Sequence, residues 1–169
     1  MILAFDTYYE ETSAKTVCIA FENWSAENEQ QVYTETLKIS AAYESGQFYK
    51  RELPCILSLL KQINQTAVEA IIVDGFVVLD DENKPGLGMY LYDILNKKIP
   101  VIGVAKTNFA TLVHNKYSLL RGDSIKPLYI TSAGINLNDA AQKIKEMAGP
   151  YRIPVLLKKL DGLTKMNVH

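Results

Sequence analysis

Two short, wholly apolar runs each end in an aspartate: Met1-Ile-Leu-Ala-Phe runs into Asp6, and Ala70-Ile-Ile-Val runs into Asp74-Gly75. Uninterrupted runs of four or five apolar residues read as strands buried on both faces, as in a parallel sheet covered by helices. Each aspartate therefore stands where its strand leaves the core. A third carboxylate, Glu52, lies in Lys50-Arg51-Glu52-Leu53-Pro54, which reads as a helix entrance because proline suits the first helical turn. There a negative charge gains ~0.3–1 kcal/mol from the helix dipole. If the two strands are neighbours, Asp6, Asp74 and Glu52 converge. Converging carboxylates repel by several kcal/mol per pair at an effective dielectric of ~20, unless protons or a cation neutralise them. A hard, oxygen-seeking divalent cation of the Mg²⁺ type suits such a group.

The flanking pattern sets the fold class. Ile2–Thr7, Thr16–Asn23 and Gln31–Ile39 read as strands joined by two polar connections, which predicts an antiparallel start. Helical periodicity then takes over. Ile56, Leu59, Leu60 and Ile63 share one face, as do Leu87, Leu91, Ile94 and Leu95 in a helix over 86–95. Between and after them come the strands 70–73 and 101–104. A ribbon over 117–120 and 125–131 turns at Arg121-Gly-Asp123. Asn138 is expected to cap a helix reaching about Met147, and Pro154 to open a last helix carrying Leu156, Leu160 and Leu163. The expectation is one α/β domain over 1–169: a ribonuclease H-like mixed sheet, three antiparallel strands followed by parallel ones, flanked by helices.

The chain has 169 residues, 48% of them hydrophobic and 22% charged, enough for one buried core. Its net charge of -1 argues against a broad basic nucleic-acid surface. It does not exclude an enzyme acting on phosphodiesters, because bound divalent ions carry part of the positive field. No signal peptide or apolar stretch of ~18 residues is visible, so a cytoplasmic protein without a membrane segment is expected. Cys18 and Cys55 lack CxxC spacing and read as buried, reduced thiols rather than zinc or redox groups.

Four blocks, in order, resemble the endonuclease V family of metal-dependent nucleases, which cut next to deaminated purines in DNA or RNA. They are Asp6-Thr-Tyr-Tyr9; Ala42-Tyr43-Glu-Ser-Gly46 leading to Tyr49-Lys-Arg51-Glu52-Leu-Pro54; Val73-Asp74-Gly75 with Leu87-Gly88 downstream; and Ile102-Gly103-Val104-Ala105-Lys106. Looser matches follow at 126–134 and at Tyr151-Arg152-Ile-Pro154. The resemblance implies that Asp6, Glu52 and Asp74 hold Mg²⁺, with Mn²⁺ substituting, and that Lys106 lies near the scissile phosphate. It further implies that Gly46 and Gly75 line the pocket of a flipped base and that Tyr43 fills the gap left in the duplex. A nucleic-acid substrate follows, with no obligate protein partner.

The departures are specific to this chain. The family wedge Pro-Tyr-Ile-Pro is replaced by Ala42-Tyr43-Glu44-Ser45. Phe76-Val-Val-Leu-Asp80-Asp81-Glu82 stands where a glycine and His-Pro-Arg are usual. Asp161 occupies the place of a late histidine, which makes it a fourth candidate metal ligand. An alternative reading of Asp161 is a surface ion pair with the flanking Lys158, Lys159 and Lys165. Lys106, ending a buried strand, suits electrostatic stabilisation of a phosphate. Asp80-Asp81-Glu82 reads as a solvated acidic turn. These losses also motivate the competing reading, a ribonuclease H-like binding or assembly module without turnover.

Overall fold

The computed structural model describes residues 1–39 and 49–166 in full, together with the backbone of Phe48. Its strands are β1 (Ile2–Tyr9), β2 (Ser13–Phe21), β3 (Gln31–Lys38), β4 (Ala70–Asp74), β5 (Val101–Ala105), β6 (Tyr117–Leu119) and β7 (Leu128–Ala133). Its helices are α1 (Phe48–Leu60), α2 (Leu87–Ile94), α3 (Leu137–Glu146) and α4 (Val155–Lys165). Among the described residues the strands form a single sheet in the order β3-β2-β1-β4-β5-β7-β6. β1 pairs antiparallel with β2 and parallel with β4, and β4 pairs parallel with β5. The mixed sheet begins with three antiparallel strands and continues with parallel ones, as expected.

The apolar runs are continuous because both faces of the sheet are covered. Leu3, Phe5, Ile71, Val73 and Val101 point into a core shared with α1 and α2, including Ile56, Leu59 and Leu91. Their strand neighbours Ile2, Ala4, Ile72, Ile102 and Val104 point the other way, against Ala141 and Ile144 of α3 and Leu156 and Leu160 of α4. Alternation along a strand thus distributes successive apolar side chains between two cores. β3, at the edge, alternates between half-buried and exposed positions instead.

Several local expectations shift. Pro54 lies inside α1 rather than in its first turn, and Glu52 is a helical residue on a buried face, not an acid at the entrance. Burial, rather than the helix dipole, is therefore the dominant influence on Glu52. α3 is capped two residues earlier than expected: the Asn136 side chain accepts from the amides of Asn138 and Asp139. Asn138 lies within the first turn because the preceding asparagine already satisfies those two amides.

Arg121 opens the expected turn, and its side chain is buried. It is 5% exposed, and its guanidinium donates to the carbonyls of Met147 (2.6 Å), Gly149 (3.1 Å), Tyr151 and Arg152 (3.3 Å). One side chain thereby satisfies the irregular backbone joining α3 to α4. Cys18 and Cys55 are buried and unbridged, as read from the sequence.

Candidate active site

Asp6 and Asp74 are brought together by strand register. In the parallel β1–β4 pair, Phe5 is aligned with Val73, so the following residue on each strand is an aspartate. On the next strand over, β5 ends at Ala105 and Lys106 follows. α4 crosses this end of the sheet and supplies Asp161. Asp6, Asp74, Lys106 and Asp161 line one cleft, whose apolar wall includes Leu157 and Leu160 of α4.

The electrostatics follow from crowding and burial. Asp6 is 7% exposed; its Oδ1 accepts from the Thr7 amide at 2.9 Å and its Oδ2 from the Thr164 hydroxyl at 3.5 Å. Burial, reinforced by the Asp74 charge, pushes its pKa up to about 7. Desolvation also raises Asp74, opposed first by the Lys106 ammonium. Glu52 projects from α1 behind this pair and is 2% exposed; its Oε2 is buried with no hydrogen-bond partner. Its pKa lies well above the ordinary carboxylate range because of burial, then Asp74, then Asp6. The sensitivity of Glu52 to both aspartates joins all three in one electrostatic group.

Asp161 is engaged on both oxygens, with Lys165 Nζ 3.0 Å from Oδ2 and Lys106 Nζ 3.8 Å from Oδ1. As the side chains stand, no three His, Cys, Asp or Glu among the described residues are grouped so as to hold a metal ion. The donor chemistry nevertheless fits a hard divalent cation. The candidates are all carboxylates, the Asp74 charge opposes ionisation of Asp6, and Glu52 keeps a buried acceptor without a donor.

The remaining predicted positions divide. Gly75 follows Asp74 with φ +132°, and a Cβ built there would meet nothing within 4 Å, so its Cα face is open. Its amide donates to the Val104 carbonyl at 3.0 Å, tying the turn to β5. Tyr43 and Gly46 lie outside the described residues. Asp81 is structural: its Oδ1 accepts from the amides of Val113, His114 and Asn115, clasping the loop that follows β5.

Two residues of the site carried no role in the sequence reading. Thr164 lies three residues beyond Asp161, on the same helix face, and its hydroxyl lies 3.5 Å from Asp6 Oδ2. Arg152 donates from Nη2 to the carbonyls of Lys106 (2.6 Å) and Pro127 (2.8 Å), fixing the backbone that carries the lysine. Of the three lysines offered as ion-pair partners of Asp161, Lys165 is the one that holds it. Helical spacing could have revealed Thr164, whereas Arg152 meets Lys106 only through the tertiary fold.

A mixed sheet of this order, with acidic side chains gathered where β1 and β4 end, defines a ribonuclease H-like domain. The endonuclease V family model matches residues 1–161, and the chain belongs to that family. Endonuclease V from Ciona intestinalis, in complex with a 24mer DNA containing an inosine followed by a ribo-adenosine, is similar in structure: TM-score 0.79 at 17% identity, over 97% of this chain and 84% of that one. Human endonuclease V gives 0.75 at 21% identity, over 97% and 82% of the two chains. The Bacillus subtilis enzyme gives 0.74 at 19%, over 96% and 77%. Comparison with curated protein sequences found no match. At these identities the structural likeness concerns the fold.

Proposed function

We propose that this protein is a divalent-metal-dependent endonuclease that hydrolyses phosphodiester bonds in DNA or RNA, next to deaminated bases such as inosine. The observation that carries this reading is the meeting of Asp6, Asp74 and Asp161 with Lys106 in one cleft, in a chain of the endonuclease V family. Asp6, Asp74, Glu52 and Asp161 are the residues that would hold Mg²⁺ or Mn²⁺. When bound, such ions supply an ionised water at neutral pH and neutralise charge on the phosphate.

The chain's own groups divide the remaining work. Lys106, anchored through its carbonyl by Arg152, presents a partly exposed ammonium to the phosphate. Gly75 leaves an unobstructed backbone surface beside Asp74 for a base turned out of its stack. The Thr7 amide fixes the Asp6 carboxylate through Oδ1, while the Thr164 hydroxyl, engaged on the Asp161 carbonyl at 2.7 Å, stands 3.5 Å from Oδ2.

The test is incubation of purified protein with Mg²⁺ or Mn²⁺ and inosine-containing or plain strands of DNA and RNA. Cleavage is expected, falling to background in Asp6→Asn and Asp74→Asn and by ~10²–10³-fold in Lys106→Ala. If every strand survives intact, the nuclease reading is wrong. One observation favours a second reading, a module that binds nucleic acid without cutting it: the Asp161 carboxylate is taken up by two lysines. Calorimetric titration with Mn²⁺ separates the two. Binding that disappears in Asp6→Asn supports the nuclease, and absence of binding supports the module.

A further inference from the structure

We propose that Lys165 is a second phosphate-binding lysine of this site, stored against Asp161 until a nucleic-acid strand displaces the carboxylate. The inference rests on the nuclease reading and extends it to a residue on the last turn of α4.

The geometry is that of one anion shared by two cations. Asp161 directs Oδ2 to Lys165 Nζ at 3.0 Å and Oδ1 towards Lys106 Nζ at 3.8 Å. Both ammonium groups thus flank one carboxylate that lines the cleft, and Lys106 lines the cleft itself. The three side chains remain accessible, at 55% for Lys165, 44% for Lys106 and 32% for Asp161. A polymer phosphate can therefore reach them without unfolding any element.

Lys165 also acts on the rest of the site. Its charge is felt by Asp74, and Asp6 in turn acts on Lys165. Its backbone position is fixed, because Lys15 of β2 donates to the carbonyls of Leu163 (2.8 Å) and Met166 (2.6 Å) on either side of it. By contrast, Lys159 on the same helix points to Glu29, remote from the cleft.

The chemistry favours exchange. A partly exposed lysine–carboxylate pair contributes little in water. A phosphate diester offers the same ammonium an equivalent acceptor and gains from counterion release along the strand. Lysine serves here as a mobile point charge, suited to changing partners. The four carboxylates of the site make the cleft hostile to phosphate; two lysines freed together offset more of that field than Lys106 alone.

Binding separates this idea from the cleavage assay. A fluorescein-labelled single strand is titrated with protein in Ca²⁺, over a series of salt concentrations, with strand integrity checked on the same samples. Lys165→Ala is expected to weaken binding several-fold on every sequence and to lower the salt slope by ~0.7, the value for one lost contact on a single strand. Lys165→Arg should restore the slope, and Lys159→Ala should leave it unchanged. In EDTA, Asp161→Asn should tighten binding, and most of that gain should vanish in the Asp161→Asn/Lys165→Ala double variant. If wild-type protein binds and Lys165→Ala binds with the same affinity and slope, Lys165 is only a structural partner of Asp161 and the inference fails while the nuclease reading stands. If wild-type protein binds no strand, both fail together.

Discussion

Asp6 and Asp74 are adjacent strand-end carboxylates, following the aligned pair Phe5–Val73, and the Asp74 charge raises the cost of ionising Asp6. In the metal-free protein this makes stability depend on pH with a defined sign. The Asp6 pKa rises from 3.8 in the unfolded chain to about 7 in the fold. Between these values the native state binds more protons than the unfolded state, so stability is greatest below the lower value and falls as pH rises through the upper one. Glu52 acts in the same direction. Thermal denaturation in EDTA should show a melting temperature that declines from about pH 5 to about pH 8, with a slope of up to ~1.4 kcal/mol per pH unit from each such group. Asp6→Asn should flatten that decline. A variant profile parallel to wild type would mean that Asp6 is not the titrating group.

Glu52 presents a cleaner isosteric test. Its buried Oε2 has no donor, and its charge is opposed by Asp74 and Asp6. Glu52→Gln keeps the shape of the side chain and removes the charge, so the metal-free protein should melt at the same temperature or higher. The rise in melting temperature produced by Mg²⁺ or Mn²⁺ in wild type should shrink or vanish in this variant. Both arms are read in one thermal-shift series with and without cation. A variant that keeps the full cation-induced rise would remove Glu52 from the ligand set.

Gly103 controls how closely β5 approaches the Gly75 turn. A Cβ at position 103 would lie 2.6 Å from the Gly75 carbonyl oxygen and 2.6 Å from Thr131 Oγ1, which itself accepts from the Val77 amide. Gly103→Ala must displace one of these, at a cost of ~1–3 kcal/mol by urea denaturation, with loss of cleavage as the turn moves. Gly162, an exposed position inside α4 with nothing near its Cβ direction, provides the contrast. Gly162→Ala should stabilise the protein by ~0.5–1 kcal/mol.

Arg121 ties β6 to the backbone that carries Arg152, and Arg152 in turn holds Lys106. Arg121→Ala would leave buried carbonyls at 147–152 without their donor and should cost ~2–4 kcal/mol in chemical denaturation. Arg121→Lys should recover little, because a single ammonium cannot serve four carbonyls spread over two guanidinium nitrogens. A loss below ~1 kcal/mol in the alanine variant would show that water replaces the guanidinium.

Much of the fold could be read from local pattern. The runs ending at Phe5, Val73 and Val104 are apolar at successive positions because both sheet faces are covered, and α4 follows its apolar period closely; in α2, Leu87 and Leu91 face the core as expected while Ile94 is 49% exposed. The misreadings share a cause: proline and polar residues were given their local preferences. Pro54 is carried inside α1, and Asn136 captures the cap expected of Asn138; at Arg121 the expected turn is present, but its side chain reaches carbonyls 26 to 31 residues away. At the α3 cap a neighbouring residue satisfied the same donors first, and for the Arg121 side chain partners distant in sequence outweighed the local preference for solvent.

The sequence by itself determined which residues carry the charge: two strand-end aspartates, a glutamate near a proline, a strand-end lysine and a late aspartate. It could do so because a charged residue after an apolar run must lie where the run leaves the core. The tertiary structure decided their relationships. Parallel register set Asp6 beside Asp74, helix packing buried Glu52 behind them, and α4 delivered Asp161 already bridged between Lys106 and Lys165. Those relationships depend on register and on contacts between segments up to 158 residues apart, such as Thr164 on Asp6, which no local pattern encodes.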